Sequence, residues 1–131
     1  SFAPAEFAAI YLELFQRRWG VPATGAERMA EVFERLRELL RGSVLLLNDQ
    51  PIAVQVLYRA EAPGWLSVEY INGGVDPQTR EFSPGSVLSY LNTPAAWEDA
   101  RALGKPLRYS FGRADREYKD RWCHPSPVFQ V

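Results

Sequence analysis

The sequence predicts an α+β domain in which a mainly antiparallel sheet is flanked by helices. Three observations predict it. Apolar residues recur at helical spacing through the first 41 positions. After Gly42 the pattern changes to short β-rich runs separated by turn residues. A further helical stretch then opens near Ser83 and is followed by more strand.

The elements follow in order. Phe7, Ile10, Tyr11, Leu14, Phe15 and Trp19 have the spacing of one apolar helix face, with Gly20 as its end and Pro22 blocking resumption. A second helix is expected to open at Thr24-Gly-Ala-Glu27, a capping-box pattern. Its apolar face would be Met29, Val32, Phe33, Leu36 and Leu39 or Leu40, and Gly42 would be its stop. Six Glu and six Arg in the first 41 residues lie mostly off these faces and read as solvated, partly paired surfaces. Val44 to Leu47, Ile52 to Tyr58 and Leu66 to Ile71 then read as an antiparallel meander, divided by Asn48-Asp49-Gln50-Pro51 and Ala62-Pro63-Gly64. Asn72-Gly73-Gly74 permits a bulge or a wide turn.

A third helix should begin at Ser83-Pro84-Gly85-Ser86, with the Ser83 hydroxyl as cap and Pro84 in the first helical position. Val87, Leu88, Leu91, Ala95, Ala96 and Ala100 would form its buried face, with a break or re-capping at Asn92-Thr93-Pro94 and an end at Gly104. Leu107 to Phe111 and Val128 to Val131 complete the strands.

Composition removes several function classes. The 131 residues, 47% hydrophobic and 24% charged, suit one domain with a real core, residues 1-131. Fifteen basic against sixteen acidic side chains give a net charge of −1, and no basic recognition helix stands out, so no nucleic-acid partner is expected. A single Cys and a single His exclude an internal disulfide and a Cys/His zinc site built within the chain, so no metal is expected. No apolar stretch approaches the roughly 18 residues needed to span a bilayer.

Two segments carry possible binding chemistry. The amides of Ser83, Gly85 and Ser86 at the positive end of the third helix suit an anion, although Ser83 and Pro84 are also ordinary helix-start residues. From Arg108 to Arg121 the chain carries five basic and three acidic side chains. Arg113 and Lys119 would pair a phosphate or carboxylate, with Tyr118 and Trp122 as pocket walls. The same segment also reads as a structural one, with Asp115–Lys119 and Glu117–Arg121 pairs at i, i+4 and the two aromatics anchored in the core. His124 is the one side chain with an ordinary pKa near neutrality and hence a candidate general base. The adjacent Cys123 would point to the opposite face of a strand, which argues against a Cys–His pair.

The element order resembles the acyltransferase fold known as GNAT. Gln50-Pro51-Ile52-Ala53, Tyr70-Ile71-Asn72-Gly73-Gly74, Ser83-Pro84-Gly85-Ser86, and Tyr109-Ser-Phe-Gly112 with Tyr118-Lys119-Asp-Arg-Trp122 resemble its Fem-type branch. The tract from Arg108 to Pro125 is similar to one family of that branch, the macrophage-inducible (Mig) proteins associated with antimicrobial-peptide resistance. The resemblance runs over essentially the whole chain. Together with Ser1 in place of Met, it implies the C-terminal half of a longer two-domain protein, whose N-terminal domain would be a partner.

The resemblance implies an acyltransferase-like domain contributing to resistance against cationic antimicrobial peptides in a Gram-negative bacterium. Its place would be cytoplasmic or peripheral to the inner membrane, with any membrane association made through the parent protein. An activated acyl donor or a cationic peptide would be the ligand. Glu69 and Asp76 are the acids nearest the implied cleft, where a carboxylate or water would take the amine proton. The chain departs from the ordinary members in one respect. The coenzyme A loop Arg/Gln-x-x-Gly-x-Gly/Ala is absent between Ile71 and Leu88, where Glu81 to Ser86 stands instead. Acetyl-CoA is therefore not expected as a cofactor. A non-catalytic domain that binds a peptide or membrane partner, having lost the donor site, is the competing reading.

The C-terminal cluster separates under mutation. Arg113→Ala should leave folding within about 0.5 kcal/mol of the parent if the side chain is exposed. It should abolish peptide protection in the full-length protein, and cells that stay protected would remove Arg113 from the site.

Overall fold

The computed structural model describes residues 2–111. Arg113 to Trp122, Cys123, His124 and the Val128–Val131 strand lie outside the described residues. Helix α1 spans Pro4–Trp19, with Pro in its first turn, Arg17 and Arg18 in its last, and Gly20 at φ 74° closing it through an N–H bond to the Gln16 carbonyl. Ala8, Tyr11 and Leu14 are its buried residues.

The second helix is shorter than the sequence suggests. Gly25, at φ 73°, leads into a 3-10 turn at Ala26–Arg28, and α2 covers only Met29–Arg35. Neither start uses a side-chain cap, so the Thr24–Glu27 box does not form. Leu40 and Gly42 belong instead to strand β1, Leu40–Leu47, because pairing with the next strand captures them: Leu40 faces Tyr58 and Gly42 faces Val56. Gly42 is thus no helix stop. A Cβ there would collide with the Phe7 ring, which lies directly on this stretch of β1.

Strand β2 runs Gln50–Glu61, β3 Leu66–Val75 and β4 Leu107–Ser110, in the sheet order β1-β2-β3-β4. The first three pair antiparallel and β4 joins β3 in parallel, which requires the crossover supplied by a helix between them. Asn48 and Asp49, at φ 50° and 64°, make the two-residue β1–β2 turn, a geometry whose twist matches the paired strands. Ile52 and Ile71 are extra residues in their ladders, and the second of these bulges falls within β3, ahead of the expected Asn72-Gly73-Gly74 position. β3 continues through both glycines, and at Gly74 the α1 backbone crosses it: an added Cβ would stand 2.5 Å from Leu14 C and 2.6 Å from Phe15 N.

Helices cover both faces of the sheet. Val54 and Val56 pack with Ala8, Tyr11, Leu14 and Phe33, while Leu57, Leu66 and Val68 pack with Ala96 and Ala100 of α3, Pro84–Leu103. α3 is continuous where a break was expected. Pro94 sits inside it without an amide to donate, and Thr93 turns its hydroxyl back to the Ser89 carbonyl at 2.8 Å. Its rotation also differs from the apolar pattern. Leu88, Ser89, Ala96 and Ala100 face the sheet, whereas Val87, Leu91 and Ala95 are exposed.

A polar relay explains that rotation. Gln55, 6% exposed in the middle of β2, donates Nε2 to Ser89 Oγ at 2.9 Å and to the Gly85 carbonyl at 3.3 Å. Its Oε1 accepts from Asn92 Nδ2 at 2.9 Å, and Asn92 Oδ1 accepts from Ser43 Oγ of β1 at 2.7 Å. A buried amide must be satisfied, so Ser89 and Asn92 turn inward and the larger apolar side chains of α3 turn outward. The helical surfaces carry ion pairs such as Arg17–Glu13 at 2.8 Å and Arg35–Glu31 at 2.9 Å, as expected of solvated faces.

Two substitutions test this packing. Gly74→Ala should destabilise the domain by about 1–3 kcal/mol in urea unfolding, because the α1 backbone cannot yield as a side-chain tip would. Gly85→Ala, whose Cβ would meet only Val75 Cγ1 at 3.6 Å, should be tolerated. Gln55→Leu should cost about 1–3 kcal/mol by leaving Asn92 without its acceptor, and adding Asn92→Leu should recover part of that loss.

Candidate functional site

The β3–β4 pairing ends at Glu69 and Ser110, yet β3 continues to Val75. From Tyr70 onward, among the described residues, one edge of β3 is therefore left without a neighbouring strand. The first turn of α3 stands beside this free edge. Between them lies a cavity of about 320 Å³, within the range of small-molecule sites. Gln55 and Ser89 floor it, Tyr70 and Val75 form the strand wall, and Ser83 to Ser86 form the helix wall.

The helix wall is polar through its backbone. Ser83 takes φ 47°, the left-handed region, and its side chain does not cap the helix, contrary to the expected role of its hydroxyl. Pro84 has no amide, so the first-turn N–H groups offered are those of Gly85 and Ser86. The Gln55 bond to the Gly85 carbonyl holds this turn against the sheet. Arg18, from the end of α1, and Arg80, from the 3-10 turn at Pro77–Phe82, line the same space. Neither forms an ion pair with another described residue, and Arg18 lies 4.5 Å from the Trp19 ring centroid. Two guanidiniums and a helix N-terminus suit an anion.

The expected site residues divide. Ser83, Gly85 and Ser86 line the cavity together. Asp76 also lines it, but both carboxylate oxygens already have partners: Oδ1 accepts from the Gln78 amide at 3.0 Å and Oδ2 lies 3.3 Å from Arg17 Nη1. Its role here is to cap the 3-10 turn and tie it to α1. Glu69 is exposed at the end of the β3–β4 pairing and does not line the cavity; its neighbour Val68 packs toward α3, so Glu69 points to the other face of the sheet. Arg113, Lys119 and His124 lie outside the described residues.

Phenols gather at the parting of the strands. The Tyr109 hydroxyl is buried without a hydrogen bond of ordinary length among the described residues; burial raises its pKa first, Tyr70 adds to the rise and Thr93 opposes it. Tyr11 is raised in the same sense, by burial and then by Tyr70. These groups are neutral at physiological pH and act only as hydrogen-bond partners or proton donors. Among the described residues there is no cluster of His, Cys, Asp or Glu fit to hold a metal ion, and no helix is long and apolar enough to cross a membrane.

Arg18, Arg80, Tyr70, Gln55 and Ser89 were not reached by reading the sequence for chemistry. Gln55 left one signal, a lone amide inside the apolar run Ile52 to Tyr58. The two arginines left none, because the fold alone brings the end of α1 to the turn before α3.

Solved structures share this arrangement. A possible acetyltransferase from Clostridium difficile 630 superposes with TM-score 0.72 at 9% identity, over 98% of this chain and 88% of that one. An aminoglycoside acetyltransferase from an uncultured soil metagenomic sample, in complex with sisomicin, gives 0.67 at 15% identity, over 99% and 88%. A predicted acetyltransferase from Clostridium acetobutylicum, with acetyl-CoA, gives 0.61 at 14% identity, over 97% and 87%. At these identities the likeness shows the fold, which is GNAT-like. No curated protein sequence matches the chain. The Mig-14 family model matches residues 1–131 throughout, and the chain belongs to that family.

Proposed function

We propose that the domain is an acyl-transfer domain that receives an activated donor through an anionic group and contributes to resistance against cationic antimicrobial peptides. The observation that supports this most is the junction of the free β3 edge beyond Tyr70 with the first turn of α3, flanked by Arg18 and Arg80. An anion held by the Gly85 and Ser86 amides would leave an acyl group to lie along that edge, which has no neighbouring strand among the described residues. The acceptor amine would attack the acyl carbon, the leaving group would depart with the bonding electron pair, and water would take the amine proton. Asp76 is already bonded on both oxygens and is poorly placed for that last task.

The donor in this reading is not acetyl-CoA. Pro84 removes one amide from the turn, and the segment Glu81 to Ser86 has no second glycine to bring the backbone around a pyrophosphate. One phosphate or carboxylate is the load this turn suits. The occupied Asp76 also favours the second reading, a binding domain without catalysis, in which the same anion site serves a partner.

Calorimetric titration tests the reading. Acetyl-CoA should give no saturable heat at micromolar concentration, whereas inorganic phosphate should bind weakly and lose about tenfold in affinity in Arg80→Ala. Micromolar binding of acetyl-CoA would reinstate that donor, and phosphate binding indifferent to Arg80 would remove the anion site.

A further inference from the structure

A second cavity lies on the opposite side of the sheet, and neither the acyl-transfer reading nor the family assignment uses it. It has a volume of about 380 Å³ and opens between the start of α1, the end of α2 and strand β1. Among the described residues its lining is apolar except for two side chains, Arg37 and Arg41, and contains no carboxylate. Val56 belongs to the face of β2 that packs on α1, whereas Gln55 of the first cavity faces α3, so the sheet separates the two.

The cavity has a built floor. Phe33, 9% exposed, and Val56, 4% exposed, close its base. Phe7 stacks beside Phe33 with ring centroids 5.4 Å apart, and the missing side chain at Gly42 lets the Phe7 ring lie against β1. A side chain at position 42 would collide with that ring. The walls therefore favour a slim apolar body over water, which would find few polar partners there.

The rim supplies the second half of the chemistry. Arg41 donates Nη1 to the Leu40 carbonyl at 2.9 Å and to the Arg37 carbonyl at 3.5 Å, which fixes its guanidinium at the mouth, and it has no ion pair with a described residue. Arg37 meets Glu34 at 3.4 Å and Glu38 at 3.9 Å, both outside the lining. An occupant with an apolar body and one negative end would satisfy floor and rim together. A neutral chain would leave the Arg41 guanidinium unused, and a cationic one would find no carboxylate in the lining to pair with.

We infer that the cavity between α1, α2 and β1 is a binding site for a medium-chain fatty carboxylate, with its chain on Phe7, Phe33 and Val56 and its carboxylate at Arg37 and Arg41. This site is independent of the anion site on α3.

Titration with decanoate, 1-decanol and decyltrimethylammonium, followed by amide chemical shifts, tests the assignment. Decanoate should bind saturably, with shifts centred on Phe7, Phe33 and Gly42, and at least about tenfold more tightly than either other probe. The exposed double variant R37E/R41E should stay folded with a slightly lower unfolding midpoint, lose decanoate and gain decyltrimethylammonium. Equal binding of decanol, shifts centred on Tyr70 and Gly85, absence of saturable binding, or a variant that still takes decanoate would each overturn the proposal.

Discussion

A primary amide in the centre of a sheet admits few arrangements. Gln55 is buried on the middle strand, where an unsatisfied amide would cost roughly 1–3 kcal/mol, so a partner must come from whatever covers that face. Ser89 and Asn92 come, and with them the azimuth of α3. The helix then buries two alanines and one leucine, and leaves Val87, Tyr90, Leu91 and Trp97 outside. Area alone would have chosen the other rotation, since each large apolar side chain buried is worth about 1.5–3 kcal/mol. Polar satisfaction decides the rotation of α3 and hydrophobic burial follows.

The site inherits that choice. The same Gln55 Nε2 that reaches Ser89 also reaches the Gly85 carbonyl, so one side chain sets both the rotation of α3 and the position of its first turn. The first turn of α3 then stands beside the strand edge beyond Tyr70. Asp76 works from the opposite side, holding the preceding 3-10 turn to Arg17 of α1. The cavity is a gap between three separately anchored pieces of backbone, which keeps its walls fixed without any ligand.

Much of this was legible in the sequence where one local rule acted alone. Apolar period and Gly20 gave α1 with its end, and Asn48-Asp49 announced the turn between β1 and β2. The reading failed where two rules competed. Leu36, Leu39 and Leu40 fit a helical face, but Leu40 also pairs with Tyr58, and the sheet won. Ser83 fits an N-cap, but at φ 47° its hydroxyl is misdirected for the role. Of the site, the α3 first turn was visible because a helix start has a local pattern. Arg18 and Arg80 were invisible because their meeting depends on how α1 crosses the sheet.

That crossing is specified by absences. α1 runs diagonally over the sheet, with Phe7 above Gly42 on β1 and the Leu14–Phe15 backbone above Gly74 on β3. Elsewhere along its path the strands present Val44, Val54 and Val56, which hold a helix at ordinary distance. The two bare positions act as paired sockets, one taking the Phe7 ring and the other the Leu14–Phe15 backbone. Displacing the helix by one strand toward β2 would set its backbone against Val54, which pairs with Gly74. Two missing side chains, on strands that are not neighbours, thus exclude the near-native dockings that an evenly filled apolar surface would tolerate.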